Sequence, residues 1–146
     1  MKVDKQSVRP AVQESGVKGL GADARYWQAF DEGRLELPRC SGCGRWHWPA
    51  PFRCGDCGSW DLDWHAVEMR GAIYSWTRTW HPFAGTEALG HPFTTISVEL
   101  PQSGSIRLFG LLEAGDAAIG LPVHGTVKPS HVLGRDVPAI HWSVAA

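Results

Sequence analysis

Apolar residues recur at helical spacing in the first part of the chain. A helix there would place three aromatic residues on one face, and these are Tyr26, Trp27 and Phe30. Asp23 suits the N-cap position, and Gly33 suits the residue that follows the last turn. The pattern therefore predicts a short N-terminal helix at 23–34. Residues 1–22 are mostly polar and are interpreted as a flexible N-terminal arm.

The period changes after residue 64, where apolar and polar residues begin to alternate as they do in strands. Five strand candidates follow, at 65–80, 93–100, 105–112, 121–129 and 137–144. Gly71 is interpreted as a bulge or bend in the first candidate. No long helix separates the candidates, so the pattern predicts a five-stranded OB-type barrel at 65–146. A small β-sandwich is the alternative.

The composition indicates the class of protein and argues against some kinds of partner. Apolar residues make up 43% of the chain and charged residues 20%, which is typical of a globular protein. The predicted barrel carries five basic and six acidic side chains, without the clustered Lys and Arg that a phosphate-tracking surface needs. No apolar run is long enough to cross a bilayer, and the N-terminus lacks the apolar core of a secretory signal. We therefore expect a cytoplasmic protein that binds neither membrane nor nucleic acid.

All four cysteines lie within "CSGCGRWHWPAPFRCGDCG", which runs from residue 40 to residue 58. They form two C-x-x-C pairs, each followed by glycine: Cys40 and Cys43, then Cys54 and Cys57. Four thiolates suit tetrahedral Zn²⁺ and fill every position, so the sequence predicts one structural zinc per chain, within a ribbon at 35–64. Disulfides or free thiols, iron instead of zinc, and His47 as a substitute ligand are the alternatives.

The sequence offers little chemistry beyond the metal. It has no G-x-S-x-G motif and no phosphate-binding G-x-x-x-x-G-K motif, and no serine has a recognisable base beside it. Two His-Pro steps bracket a twelve-residue loop, and these histidines, His81 and His91, could act as acid and base or simply form turns. We therefore assign no catalytic residue.

Three quoted segments in a fixed order carry a family resemblance. "YWQAFDEGRLELPRCSGCGRWHWPAPFRCGDCGSWDLDW" joins an aromatic helix to the two cysteine pairs, "GAIYSWT" follows as a glycine-bearing strand, and "IGLPV" comes later. Over about residues 24–145 the chain resembles the acyl-CoA-associated OB-fold proteins with an N-terminal rubredoxin-like zinc ribbon. The resemblance implies a mainly β fold made of a short N-terminal helix, the zinc ribbon and the five-stranded barrel, with structural zinc on the four cysteines.

The same resemblance implies a role. Members are non-catalytic companions of thiolase-fold enzymes, so we expect an accessory subunit in a heterotetramer or a larger assembly that acts on acyl-CoA thioesters. C–C cleavage, thiolysis, retro-aldol cleavage or acyl transfer would belong to the partner, which this chain would stabilise and whose substrate channel it would help to form. The alternative is an OB-fold module for single-stranded nucleic acid, because aromatic residues on the predicted barrel strands could stack bases.

Aromatic residues suggest where the partner binds. Five of the eight tryptophans fall in the helix and ribbon, which are too small to bury them all. Because aromatic side chains are enriched at the energetic centres of interfaces, the predicted partner-binding residues are Tyr26, Trp27, Phe30, Trp46 and Trp48. Packing on the barrel is the alternative. The predicted substrate-channel loop, 81–92, contributes His81, Phe83 and His91.

Overall fold

The computed structural model describes residues 21–146, so all but the last two residues of the predicted arm lie outside the described part of the chain. The chain divides into two compact units, with the boundary between Glu68 and Met69. The described part of the first unit, residues 21–68, contains one helix and a two-stranded sheet, and the second unit contains five strands. No helix within 21–146 is long and apolar enough to cross a membrane.

The predicted helix forms, with bounds a little inside those expected: α1 spans Ala24–Asp31. The Gly33 N–H donates to the Phe30 carbonyl at 2.9 Å, and the Arg34 N–H donates to the Ala29 carbonyl at 2.8 Å. These two bonds are those of a Schellman motif and end the helix at the glycine predicted to stop it. The Asp23 carboxylate caps no backbone N–H and accepts a bond from the Trp27 indole at 3.0 Å instead.

The ribbon sheet pairs strands from the two ends of the cysteine segment. β1 (Glu36–Cys40) and β2 (Leu62–Ala66) are antiparallel, with Cys40 opposite Leu62. Leu35, Leu37 and Pro38, at the start of this sheet, are fully buried. This small apolar layer fixes the point at which the chain enters the first cysteine pair.

The second unit is a closed barrel of five strands. They are β3 (Arg70–Thr79), β4 (Phe93–Leu100), β5 (Ile106–Ala114), β6 (Pro122–Val132) and β7 (Arg135–Val144). Their order around the barrel is β3-β4-β5-β7-β6, and β5 and β7 form the parallel pair in an otherwise antiparallel barrel. The predicted fold class, mainly β with a short helix, a zinc ribbon and a five-stranded barrel, is confirmed.

The barrel core consists of eight apolar side chains contributed by all five strands. They are Ile73, Ile96, Val98, Leu100, Leu108, Val123, Ile140 and Trp142, each at most 2% exposed. In β4 the three core residues, Ile96, Val98 and Leu100, recur at every second position, as the strand-like alternation of this candidate requires. Trp142 is the largest of the eight side chains, and its indole fills the space above Gly110 and Gly125, where an added Cβ would lie within 3 Å of the ring.

Three details of the strand prediction were wrong. The expected strand at 65–80 is divided into β2 and β3, because its first part pairs with β1 and its second with β4 and β6. β6 and β7 continue into a hairpin through 130–136, which the alternation did not indicate. The register shift in β3 falls between Ile73 and Ser75 rather than at Gly71. Gly71 is required for another reason, since a Cβ there would lie 2.2 Å from the Glu99 carbonyl oxygen.

Candidate metal centre and surrounding surfaces

The four cysteine sulfurs converge on one point. The Sγ atoms of Cys40 and Cys57 are 3.5 Å apart, those of Cys43 and Cys54 are 3.7 Å apart, and all four lie within 4.8 Å of one another. Zn–S bonds of about 2.3 Å in a tetrahedron place sulfurs about 3.8 Å apart, so the set has the size that zinc needs. Cys40 and Cys54 are buried and Cys43 and Cys57 are exposed, which places the centre at the edge of the ribbon.

The two cysteine loops have the same backbone geometry. Gly44 and Gly58 each follow the second cysteine of a pair, and each has φ of +77°. Their N–H groups donate to the carbonyls of Cys40 and Cys54 at 2.8 and 3.0 Å. A left-handed residue closes each loop tightly enough to present two sulfurs to one ion, and glycine adopts that conformation at no steric cost.

The loop backbone stabilises negative charge on two of the sulfurs. The Cys43 N–H, helped by the Cys57 thiol and the Gly42 N–H, lowers the pKa of Cys40 to about 6 against the opposing effect of burial. The N–H groups of Cys57 and Asp56 lower the pKa of Cys54. Such bonds to the sulfurs favour the thiolate form that binds metal.

The pKa of a third cysteine, Cys43, indicates that the cluster needs a cation. The Arg45 N–H favours the Cys43 thiolate, but burial and the bonds from the three other thiols raise the pKa of Cys43 to about 12. Four sulfurs in contact cannot all carry negative charge unless a positive ion lies among them. The chemistry of this set therefore fits a divalent cation, and the closed four-sulfur shell makes that cation structural.

Each cysteine loop is braced by an arginine that the sequence analysis overlooked. Arg39 Nε donates to the Gly44 carbonyl at 2.8 Å, and Arg53 Nε donates to the Gly58 carbonyl at 2.7 Å. Each guanidinium also lies 5.5 Å from the centre of a tryptophan ring, Trp46 in the first loop and Trp60 in the second. The signal was in the sequence, since R-C-x-x-C-G-x-W occurs at 39–46 and again at 53–60.

His47 is close to the metal centre but is not one of the clustered ligands. The four-residue ligand set contains cysteines only. His47 favours the Cys54 thiolate and so lowers its pKa, but less than the loop backbone does, and its Nε2 is buried without a hydrogen-bond partner among the described residues. His47 is thus a neighbour of the centre and not one of the four clustered ligands.

Four aromatic residues of the helix and ribbon, Tyr26, Trp27, Phe30 and Trp48, form a cluster within the first unit. Tyr26 and Phe30 are 6% and 4% exposed, and their ring centres are 4.2 Å apart. Trp48 stacks on Tyr26 with a centre distance of 4.0 Å. Trp27, Trp46 and Trp48 are half-buried. Of the five predicted partner-binding residues, therefore, two lie in the interior of the cluster and three retain surface.

The predicted channel loop contains two separate aromatic pairs. His81 packs edge-on against Phe83 with ring centres 4.6 Å apart, and both are exposed. His91 lies against Phe93 at 5.5 Å, and its Nε2 is 3.2 Å from the Thr86 hydroxyl. The loop is an ordered segment with a 3₁₀ turn at Glu87–Leu89, and its two histidines belong to different clusters.

Three strands of the barrel place a serine, a histidine and a carboxylate in line, a juxtaposition that the sequence did not reveal. Ser130 Oγ lies 2.8 Å from His141 Nε2, and His141 Nδ1 lies 2.7 Å from Glu113 Oε1. The three residues come from β6, β7 and β5, so no spacing along the chain could have indicated them. The expectation that no serine has a base is corrected for Ser130.

The fold and the cysteine site together define a class of protein. Its members have a zinc ribbon that is followed in the chain by a closed five-stranded barrel. Residues 27–63 match the family model for the ChsH2 rubredoxin-like zinc ribbon domain. The family resemblance drawn from the sequence is thereby confirmed, and the site is a structural four-cysteine zinc centre. No curated protein matches the chain.

Two solved structures extend the likeness beyond the ribbon. A chain described as "Ltp2-ChsH2(DUF35) aldolase" is 27% identical, with a TM-score of 0.70 over 86% of this chain and 95% of that chain. A DUF35-family protein of unknown function from Sulfolobus solfataricus is 17% identical, with a TM-score of 0.55 over 85% of each chain. The second likeness is one of fold.

Proposed function

We propose that this chain is the accessory subunit of a thiolase-fold enzyme that acts on acyl-CoA thioesters. The observation that carries the proposal is the match along nearly the whole of both chains to the protein described as an Ltp2-ChsH2(DUF35) aldolase. That description joins a DUF35 chain to an aldolase. The family resemblance of the present chain supplies the thiolase fold of the partner and the acyl-CoA substrate.

The proposed division of labour follows from the metal centre. All four cysteine sulfurs lie within 4.8 Å of one another, so a metal ion bound by them would have no open coordination position for substrate. The carbon–carbon chemistry, for which retro-aldol cleavage is favoured by the aldolase match, therefore belongs to the partner. This chain stabilises the partner and helps to form its substrate channel, in a cytoplasmic heterotetramer or larger assembly.

The proposed docking surface is the aromatic edge of the first unit, made of Trp27, Trp46 and Trp48. These rings are half-buried, so each keeps area that a partner could cover. Tyr26 packs against Trp27 and Trp48, and Phe30 packs against Trp27, whereas Trp46 packs against His65. Rigid aromatic anchors of this kind give binding energy at little cost in side-chain entropy.

The proposed channel element is the loop at 81–92. It presents Phe83, which is 57% exposed, beside His81, and Trp80, the residue that precedes the loop, is 69% exposed. It is ordered without being covered, and the Leu133 N–H donates to its Gly85 carbonyl at 3.3 Å. Long ordered loops in compact domains are usually functional, which supports a role at the mouth of a shared site.

Co-purification tests the proposal. Affinity-tagged chain, mixed with extract from its own source, should retain a thiolase-fold protein that mass spectrometry identifies. The purified chain should cleave no carbon–carbon bond of an acyl-CoA, whereas the reconstituted pair should do so. Retention of only unrelated proteins, or cleavage by the isolated chain, would contradict the accessory role.

Substitution of the proposed anchors tests the surface. Trp27→Ala and Trp48→Ala should each weaken partner binding by about 2 kcal/mol, which is about 30-fold in affinity. Trp60→Ala is the matched control, because Trp60 is 55% exposed and lies on the second cysteine loop, outside the proposed surface. All three proteins must retain zinc. If both anchor variants bind as tightly as Trp60→Ala, the docking surface lies elsewhere.

A second candidate function has one observation in its favour. Tyr74, Trp76 and Phe109 are 47%, 44% and 76% exposed on β3 and β5, and the Arg107 guanidinium lies 3.4 Å from the Tyr74 ring centre. Exposed aromatic residues on barrel strands can stack bases. Binding of single-stranded DNA that strengthens as salt is lowered would support this function. The scarcity of basic residues in the barrel argues against it.

A further inference from the structure

Ser130, His141 and Glu113 form a hydrogen-bonded line on the barrel, in the order and with the distances of a nucleophile, its base and the group that orients the base. The two bonds are 2.8 Å and 2.7 Å long. Each residue stands on a different strand of a closed barrel, so the line rests on rigid elements rather than on a loop. Nucleophile–base–carboxylate arrays are recognised by this geometry, whatever the fold.

The carboxylate determines which nitrogen of His141 carries the proton. The Lys128 ammonium, which bonds to the other oxygen of Glu113, lowers the pKa of Glu113, and His141 adds to the effect. Glu113 is therefore ionised at neutral pH and can only accept, so Nδ1 of His141 is the N–H donor. Nε2 is then the acceptor, and the Ser130 hydroxyl donates its proton to it.

We propose that Ser130 is an activated nucleophile that accepts small acyl groups from activated esters and thioesters. Oγ bonds to the acyl carbonyl carbon while its proton passes to His141 Nε2. The tetrahedral intermediate then breaks its bond to the phenolate or thiolate, which takes that proton from His141. Water then attacks the carbonyl carbon of the acyl-serine and gives a proton to His141 Nε2. The carboxylic acid leaves, and the Ser130 hydroxyl takes that proton back. This function goes beyond the accessory role and needs no partner subunit.

Burial sets the size of the acyl group. Ser130 is 7% exposed, and the His141 side chain is 10% exposed. A nucleophile with so little free surface is reachable by an acetyl-sized group and is shielded from bulky ones. The same shielding keeps bulk water away from the Ser130–His141 bond, which strengthens it.

The test uses purified full-length protein and p-nitrophenyl acetate. The wild type should show a burst of p-nitrophenol, and peptide mass spectrometry should locate the acetyl group on Ser130. Ser130→Ala and His141→Gln should each lower the acylation rate about 100-fold, the scale of general-base assistance. Methanesulfonyl fluoride, whose methylsulfonyl group is close to an acetyl group in size, should modify the same residue and suppress the burst.

Two matched controls separate this reaction from the background hydrolysis that any exposed imidazole causes. His131 also pairs with a carboxylate, Asp136, at 2.8 Å. It is exposed, however, and is not part of the hydrogen-bonded line that contains Ser130. His131→Gln and Ser143→Ala should therefore leave the burst and the Ser130 label unchanged. If Ser130→Ala does not fold, Ser130→Cys should fold and be acetylated at residue 130. Equal rates for wild type and Ser130→Ala, with no acyl or sulfonyl group at residue 130, would overturn the proposal.

Glu113 is a positioning residue in this scheme, and its test needs a readout besides rate. Glu113→Gln can turn its amide NH₂ toward His141, which would move the ring proton to Nε2 and deprive Ser130 of its base. The ¹⁵N shifts of the His141 ring should report that change of tautomer, together with loss of the burst. An unchanged tautomer with an unchanged burst would exclude the positioning role of Glu113.

Discussion

The zinc ribbon and the barrel are each stabilised in a different way. In the ribbon, Cys40 and Cys54 are only 1% exposed, and they bring sulfur rather than hydrocarbon to the interior. In the barrel, eight apolar side chains fill the interior, and its strands pair in a closed ring. The ribbon therefore depends on an ion and the barrel on its packing, although both belong to one chain.

The difference shows how a short segment gains a defined shape. Residues 41–58 form no strand between β1 and β2, so no ladder of strand-to-strand backbone bonds orders them. The two cysteine loops compensate with duplicated local geometry: a left-handed glycine, a loop carbonyl and an arginine that bonds to it. A metal ion joins the two copies, and its binding free energy is then folding free energy.

Removal of the metal should have the largest effect and should act on one unit. Cys40→Ser or Cys57→Ser should release the ion and unfold the ribbon, since zinc binding at such sites amounts to about 10–16 kcal/mol. Hydrogen exchange should show lost protection in β1 and β2 and unchanged protection in the barrel. Ser41→Ala, which removes an exposed bond to Asp63 in the same loop, should retain the ion. Native protein that contains neither zinc nor iron would refute the metal prediction.

A cavity in the barrel should give the reciprocal result. Ile96 is 0% exposed, and Ile96→Ala should lower the free energy of unfolding by about 2–5 kcal/mol while leaving the zinc content unchanged. Phe109→Ala on the neighbouring strand is the control, because Phe109 is 76% exposed and its loss should change stability by less than about 0.5 kcal/mol. Urea unfolding followed beside metal analysis measures both. Zinc loss from Ile96→Ala would show that the units are not energetically independent.

The sequence predicted these two units unequally well. The cysteine spacing was sufficient for the metal ligands, because a C-x-x-C-G loop is local and each ligand lies near its partner. The alternation of apolar residues was sufficient for β4 and its core face. It could not predict that the strand at 65–80 divides, because its two halves pair with strands far away in the chain.

The candidate surfaces show the same limit. An aromatic residue at helical spacing is compatible with either a core or an interface, and the structure buries Tyr26 and Phe30 while leaving surface on Trp27. The line of Ser130, His141 and Glu113 exists only because β5, β6 and β7 are neighbours in the barrel. A single sequence does not show which distant segments of the chain come into contact.

The two arginines that bond to the cysteine loops allow these loops to be compared with each other. Arg39→Ala and Arg53→Ala should each destabilise the ribbon by about 1 kcal/mol, because each loses one hydrogen bond and one cation–π contact. The rate of zinc transfer to a chelator should rise by similar factors in both variants. Arg45→Ala should have a smaller effect, since its ion pair with Asp56 is exposed. Unequal effects of Arg39→Ala and Arg53→Ala would show that the two loops are alike in shape but not in stability.

The smallest expected effect concerns pH and the buried carboxylate of the ribbon. Glu36 is 5% exposed, and its bond with Arg25, followed by that with Arg34, lowers its pKa despite burial. A carboxyl with a lowered folded-state pKa stabilises the fold above its unfolded-state value of about 4.3, and the stabilisation is lost as the pH falls through the folded-state pKa. Both arginines are half-exposed, so the contribution should stay below about 1 kcal/mol.

The comparison of wild type with Glu36→Gln isolates this contribution, because acid also protonates the cysteine ligands and both proteins share that loss. The wild type should be the more stable of the two at pH 7, and the difference should shrink steadily as the pH falls below about 4.3. Chemical unfolding of the ribbon, with the barrel as internal reference, measures the difference at each pH. A difference that stays constant from pH 7 down to the acid limit would mean that Glu36 acts through packing alone and that its charge contributes nothing to the stability of the ribbon.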